Sequence, residues 1–516
     1  MKPIMPTTDW TIGRLHEIYG ELEKINDERY KLDIYPNQIE IVPYSWMIEN
    51  HSSHGGLPIL YRHWSFGKSF ISFSNKYKNR QAGLAYEMVI NSNPCISYLM
   101  EENTETMQTL VMAHAGFGHN YVFKNNYLFK QWTDASEILD YLEFSKNYIA
   151  RCEEKYGEKV VEKLLDAAHM LQMSSFTRYP RKKYSVKDSE QKRLERLKNY
   201  QETYSEIWET LPGRNTKSAS AKEKYKQRMN LPEENILYFL EKFSPNLTVW
   251  QREIIRIVRN IGQYFYPQLQ CKTVHEGAAT WTHHAMLHDM HDKGLIHEGA
   301  MLEWFHSHAG VISQPTFNEK FGAHHFNPYA LGFAINQDIE RVCKNPTQED
   351  KEWFPDIAGS GDHINLLKHI WSEYRDESFI RQFLGPKVIR DFRMFSIGDD
   401  SLDKHWTVSN IHDKEGYKQI RTILADSYLV DSYIPNVEVI DANILEDRLL
   451  TLEFKSTDGH RLYPRYTQKV IEAIASIWGY PVKLIENFKP AYSDKNKIET
   501  YDASPNSSGV FNENSN

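Results

Sequence analysis

A chain of 516 residues exceeds what one simple hydrophobic core supports, and its length predicts two to four domains. Apolar residues make up 41% of it and charged residues 25%, the balance of a globular protein rather than a fibrous one. The formal charge of -8 is modest for this size and gives no electrostatic case for nucleic acid or an anionic membrane as partner. Cys95, Cys152, Cys271 and Cys343 are scattered and form no CxxC pair, which argues against a zinc ribbon or a thioredoxin-like site and for reduced thiols. The opening MKPIMPTTDWTIGRLHEIYGELEK has no apolar signal-peptide core, and no window reaches the ~20 apolar residues of a membrane span. The expected location is the cytoplasm.

In chain order, Ile12, Leu15, Ile18, Tyr19 and Leu22 recur at helical spacing and predict a packed helix from Thr11 to about Lys31. The stretch from Tyr35 to Phe70 bears proline and glycine and is too irregular for a long helix. Helical patterns return at Lys76 to Ser92, Glu105 to Phe117, Asp134 to Arg151 and Lys159 to Met173. Residues 178–234 become dense in Lys, Arg and Glu, which reads as a solvated insertion. The helical rhythm resumes at Ile236 and runs to about residue 402. From Asp403, WTVSNI, GYKQIRTILADSY, VEVIDAN, LLTLEFK, YTQKVIEAIASIWG and YPVKLIEN read as β-α-β-β-α-β, the ferredoxin-like order. The expected architecture is therefore a mainly α domain over 1–402, a small α+β ferredoxin-like domain over 403–490, and a disordered polar tail over 491–516.

Histidine carries the chemistry. MAHAGFGH places His114 and His119 at the end of a helix, with Gly116 and Gly118 between them. Five residues is not the i, i+4 spacing of HExxH, but a helix broken at glycine can turn both imidazoles to one point. Ala115 stands where that motif carries its general base. In HEGAATWTHH, Glu276 is followed by Gly277 and two alanines, a face slim enough for close approach of another helix or a metal. His283 lies two turns further along that face, roughly 10.5 Å away on an ideal helix, so one of the two should bind metal and the other support it. Two histidines from one helix and a glutamate from a later one resemble the ligand logic of glutamate-type zincins, and a zincin-like helical core is expected.

Other candidates are weaker. His284, His288 and His291 form an i, i+4, i+7 stripe that reads as ordinary surface, with a second metal cluster as the alternative. Glu303 with His306, and Asp166 with His169, have the i, i+3 spacing of di-iron carboxylate proteins, but only the first is an ExxH pair. Glu87, Asn91 and Asn93 read as capping and buried hydrogen bonding. Glu102, at the start of the helix that delivers His114, is the candidate for a missing catalytic carboxylate, about three turns away. The absence of a GxxxxGK[ST] loop, a GxSxG elbow and a Rossmann fingerprint leaves nucleotide hydrolysis, serine hydrolysis and dinucleotide redox chemistry without support.

YRHWSFGKSF, AYEMVINSNPCISYLMEENT, MAHAGFGHNYVFKNNYLF, WQREIIRIVRNIGQYFYPQ, HEGAATWTHH, LEWFHSHAGVISQP and NPYALGFAINQDI together resemble the stage V sporulation protein R family (SpoVR-like proteins). The closer likeness runs from Tyr61 to Phe395, and a looser one from about Tyr19 to Asn487. His114, Gly118 and His119 match the family's histidine-glycine-histidine segment, and Glu276, Gly277 and His283 its glutamate-glycine segment. The chain departs from that pattern at His275, where Asn is expected, and at Ala278, where Trp is expected. The resemblance implies a cytoplasmic bacterial protein linked to spore cortex formation in spore formers. In bacteria that make no spores it implies a PrkA-type serine protein kinase and a von Willebrand factor A-like protein as partners; no settled activity comes with it.

The functional expectation is a metal-dependent amide hydrolase with His114, His119 and Glu276 holding zinc, or iron as the alternative. Glu102, His283 and His308 are the catalytic or proton-handling candidates. The competing readings are a non-catalytic partner of the kinase module and a di-iron carboxylate protein.

Overall fold

The computed structural model describes residues 1–52, 57, 58, 60–69, 71, 87–178, 229, 231–314, 326–398, 404, 405, 407–456, 460–488 and 497–505. The body of the charged insertion, 179–228, lies outside them. The chain divides into two compact units: Met1–Arg151 with Gln263–Tyr433, and Cys152–Gly262 with Ile434–Asn516. Among the described residues no helix is long and apolar enough to cross a membrane.

In the first unit, helix α1 (Ile12–Ile25) starts where the Thr11 side chain accepts the Arg14 N–H, and its expected stripe buries Leu15, Ile18, Leu22 and Ile25. It widens into a π-turn over Asn26–Tyr30 and stops at Lys31, whose φ of 52° is left-handed. Strands β1 (Asn37–Val42), β2 (Glu87–Ile90) and β3 (Cys95–Met100) form a sheet in the order β1-β3-β2, with β1 parallel and β2 antiparallel to β3. The helix expected over Lys76 to Ser92 is thereby corrected at its end: residues 76–86 lie outside the described residues, and 87–90 are extended. Met88 and Ile90 alternate inward, a two-residue period that cross-strand pairing with β3 selects over the helical one.

Helix α2 (Glu105–Ala113) is capped by the Thr104 hydroxyl, which accepts the Met107 N–H, and every one of its residues is buried. Core helices α3 (Lys272–Asp292) and α4 (Glu298–Val311) pack beside it, and α5 (Pro328–Lys344) packs on α3. Both carboxylate oxygens of buried Asp376 accept backbone N–H groups at the start of α3, from Thr273 at 2.9 Å and Val274 at 2.8 Å, so a distant side chain caps this helix. The slim face of HEGAA is used as its composition suggests. A Cβ on Gly277 would lie 2.6 Å from the backbone of Gly332 on α5, so only a glycine-on-glycine crossing fits.

The β-α-β-β-α-β succession forms along the chain, but its first strand and first helix do not join the sheet of the rest, so no single ferredoxin-like sheet results. WTVSNI supplies β5 (Thr407–Asn410), which pairs with β4 (Ser396–Gly398), and the following helix α6 (Lys414–Ser427) also belongs to the first unit. The second unit builds its sheet from β6 (Val437–Ala442), β7 (Leu450–Lys455), β8 (Val482–Phe488) and β9 (Lys497–Ala503), in that spatial order. Parallel β7 and β8 are joined through helix α7 (Pro464–Trp478), which buries Ile471, Ile474, Ile477 and Trp478. Strand β9 lies inside the stretch expected to be a disordered tail. It reads as polar because it is an edge strand with only Tyr501 and Ala503 turned inward, while residues 506–516 lie outside the described residues.

Candidate metal centre

The chain from His114 to His119 is one turn of π-helix inserted between α2 and the short helix Asn120–Asn125. In that geometry each N–H reaches back five residues, so residue 119 stacks over residue 114 and the unpromising five-residue spacing becomes a same-face pair. The imidazole centroids lie 4.6 Å apart. Glycine permits the turn to sit where it does. A Cβ on Gly118 would fall 2.4 Å from the Ala279 Cα, so the π-turn lies directly against α3. Gly116 is tied to the sheet, its carbonyl accepting from the Asn37 amide at 2.9 Å.

Two carboxylates close the site. His114 Nε2 lies 3.3 Å from Glu87 Oε1 and 3.8 Å from Glu276 Oε2; His119 Nε2 lies 3.8 Å and 3.6 Å from the same two oxygens. One ligand atom each from Glu87, His114 and His119 falls within 4.8 Å of the others. Glu87 Oε2 and Glu276 Oε2 are buried without a hydrogen-bond donor among the described residues. Buried anionic oxygens are costly unless hydrogen-bonded, paired or bound to a metal, so this donor set fits a divalent cation.

The electrostatics agree. Burial pushes the Glu87 carboxyl up to about 7, with His114 opposing the rise and Glu276 adding to it. Burial also works against charge on His114, but Glu87 and Glu276 outweigh it and hold that imidazole above its ordinary range. For His119 burial prevails, reinforced by His275, His114 and His283, and the ring stays neutral and able to donate its lone pair.

The rear nitrogens of both rings are held by further histidines. His114 Nδ1 meets His283 Nδ1 at 2.9 Å, His283 Nε2 meets His308 Nδ1 at 2.9 Å, and His119 Nδ1 meets His275 Nε2 at 2.9 Å. Such contacts fix ring orientation and leave each Nε2 facing the carboxylates. Burial lowers His275 and His308 to about 4 and drives His283 well below its usual range, so all three are neutral at pH 7. Tyr329, at the start of α5, faces Glu276 and lies over the His114 ring at 6.2 Å. Burial, then Glu276 and Glu87, raise its phenol and keep it protonated.

The structure thus brings His114, His119, Glu276, His283 and His308 together. Glu102 stands apart: it is exposed, and its Oε1 accepts the Tyr44 N–H at 3.3 Å. The second carboxylate at the histidines is Glu87, which its sequence context marked only as a capping residue. His275, the departure from the family pattern, is the hydrogen-bond partner of His119. Of the di-iron candidates, Glu303 accepts the Thr104 hydroxyl at 2.8 Å, His306 is exposed, and Asp166 and His169 belong to the second unit.

This helical unit with its two-histidine, two-glutamate centre defines the class of protein in which the chain falls. The chain belongs to the SpoVR family: residues 9–433 match the family described as SpoVR like protein, and residues 435–488 match the SpoVR-like C-terminal domain. The passage from one match to the other coincides with the division between the units at Tyr433 and Ile434. A relative in Escherichia coli (strain K12), "Uncharacterized protein YcgB", is 46% identical over 477 residues, 92% of each chain. No solved structure matches the chain.

Proposed function

We propose that the first unit is a metal-dependent hydrolase acting on an amide, in cell-envelope or stress physiology or in spore cortex formation. The observation that carries the reading is the meeting of His114 and His119, both with Nε2 inward, with two carboxylates that each have one buried oxygen without a donor among the described residues. Two imidazoles and one carboxylate are a sufficient protein ligand set for catalytic zinc, which supplies an activated water and a Lewis acid. The second carboxylate is then left to accept the proton of the attacking water. It takes the place of the base that Ala115 removes from an HExxH arrangement, delivered by a different element of the fold. Protonated Tyr329 beside Glu276 can donate a hydrogen bond to a developing oxyanion. His275, His283 and His308 keep the metal-binding rings in place.

The direct test is metal analysis of the purified full-length protein. Zinc held by mixed imidazole and carboxylate ligands in the wild type, seen by X-ray absorption and lost in His114→Ala and in His119→Ala, supports the centre. Metal-free protein of equal stability would overturn it. Iron retained in Glu303→Ala still places the metal at the histidines, whereas iron lost there would return the di-iron reading. The PrkA-type kinase and von Willebrand factor A-like protein enter this proposal as regulators of the hydrolase. A pure scaffold would hold both partners equally well with the metal gone.

A further inference from the structure

The histidine stripe on α3 does not behave as one surface. His291 is turned to Glu298 at 3.3 Å, whereas His284 and His288 are half-buried among Trp304, Phe305 and Phe333. They stand at i, i+4 with ring centroids 4.5 Å apart, the spacing at which two imidazoles on one helix chelate a single ion. His308 reaches the same place from α4, its ring 5.3 Å from that of His284. Among the described residues neither His284 nor His288 makes a hydrogen bond, and His308 is engaged only through Nδ1.

We propose that His284, His288 and His308 form a second metal site, all-imidazole and distinct from the centre at His114 and His119, for a borderline transition-metal dication such as Co2+, Ni2+, Cu2+ or Zn2+. An uncharged nitrogen set of this kind selects such ions over Mg2+ or Ca2+. Burial and the mutual proximity of the rings hold His284 at about 4, and burial with His114 and His288 holds His308 at about 4, so the lone pairs are free at neutral pH. Glu340 is the carboxylate whose field reaches His284.

The two sites share a wire of tautomers. With a metal on His114 Nε2, the proton sits on His114 Nδ1 and donates to His283 Nδ1. His283 Nε2–H then donates to His308 Nδ1, which leaves the proton of neutral His308 on the Nε2 that the outer site needs. Filling the outer site asks for the opposite order along the chain. The sites therefore oppose one another, and an ion in the centre weakens the outer one.

The test is Co2+ titration of the chelator-stripped full-length protein, followed by its visible absorption. In His114→Ala/His119→Ala, where the conflict is removed, one equivalent is expected, and adding His284→Ala/His288→Ala should abolish it. In the wild type the second equivalent should bind at least tenfold more weakly than the single one in the double variant. His288→Gln, a conservative change at a half-buried position, should lose the outer equivalent alone while thermal unfolding stays unchanged. If the His114→Ala/His119→Ala protein binds no Co2+, or binds it equally with His284 and His288 removed, the second site does not exist. Loss of the central equivalent in the wild type with the outer one intact would instead count against the hydrolase centre only.

Discussion

The carboxylates at the histidine cluster and those buried in the second unit are held in opposite ways. In the second unit Glu241 is surrounded by cations: Lys242 lies at 2.6 Å and Arg256 at 3.2 Å from Oε1, while the Arg259 guanidinium meets Oε2 at 3.1 Å as an ion pair rather than an aligned hydrogen bond. Glu486 accepts the Leu462 N–H at 2.9 Å and the Tyr501 hydroxyl at 3.0 Å, and it pairs with Arg461 at 3.3 Å. In the first unit Glu87 and Glu276 meet the imidazoles of His114 and His119, with the Tyr329 phenol beside Glu276, and among the described residues no lysine or arginine pairs with them. Glu105, Asp338 and Asp350 of the first unit have arginine partners as well, so Glu87 and Glu276 stand out within their own unit. The difference marks their site as built for something other than stability.

Removing one carboxylate from each unit would test that difference, and the second unit should show the largest effect. Glu241→Ala strands three cations around a buried gap, and stability should fall by about 3–5 kcal/mol in denaturant titration. Burial alone would raise the Glu241 carboxyl, yet Arg259, Lys242 and Arg256 together hold it below its ordinary 4.5. A group depressed in the folded state contributes stability above its unfolded value and loses it as the pH falls. Part of the acid limb below about pH 4.5 should therefore disappear in Glu241→Gln. Glu87→Gln removes a raised carboxyl that faces imidazoles and no lysine or arginine among the described residues, and the metal-free protein should be no less stable, or more so, while metal binding weakens. If Glu87→Gln destabilised the apo protein as much as Glu241→Ala, the contrast would collapse and the centre would be structural.

An intermediate effect is expected where the site rests on backbone. The Cβ of Gly118→Ala would press on the Ala279 Cα, which no rotamer change can relieve, so the π-turn must move off α3. Overpacking of this kind costs about 1–3 kcal/mol. Unlike Glu241→Ala, it should also lower metal content, because His119 is the next residue. Unchanged metal affinity would show that the crossing at Ala279 does not position the imidazole.

The same contrast explains what could be read from the chain. His114, His119, Glu276, His283 and His308 were legible because the local chemistry is unusual: histidines clustered at glycine breaks and beside a small-residue helix face. The slim face of HEGAA correctly announced a close crossing. The π-turn was not legible, since nothing in HAGFGH distinguishes five-residue from four-residue registration until Gly118 packs against Ala279. Glu87 was not legible because its place depends on β2 pairing with β3, a contact the sequence of EMVI does not specify. In the second-unit sheet β6, β7 and β8 were legible as strands; what was not legible is that β5 pairs with β4 and that a polar-looking segment becomes the edge strand β9.

Glu102 shows how adjacency in sequence misleads, and its removal should have the smallest effect. It precedes the Thr104 cap of α2, so its nearness to His114 runs along a helix axis, at 1.5 Å per residue, rather than across a face. Its side chain is exposed, and among the described residues it meets only the Tyr44 N–H, at a distance of 3.3 Å. Glu102→Ala should change stability by no more than about 0.5 kcal/mol. Metal content should match the wild type, whereas Glu87→Gln should not. A loss of metal in Glu102→Ala would mean that the turn before α2 closes over the histidines during binding, and that Glu87 is only one of two carboxylates able to reach them.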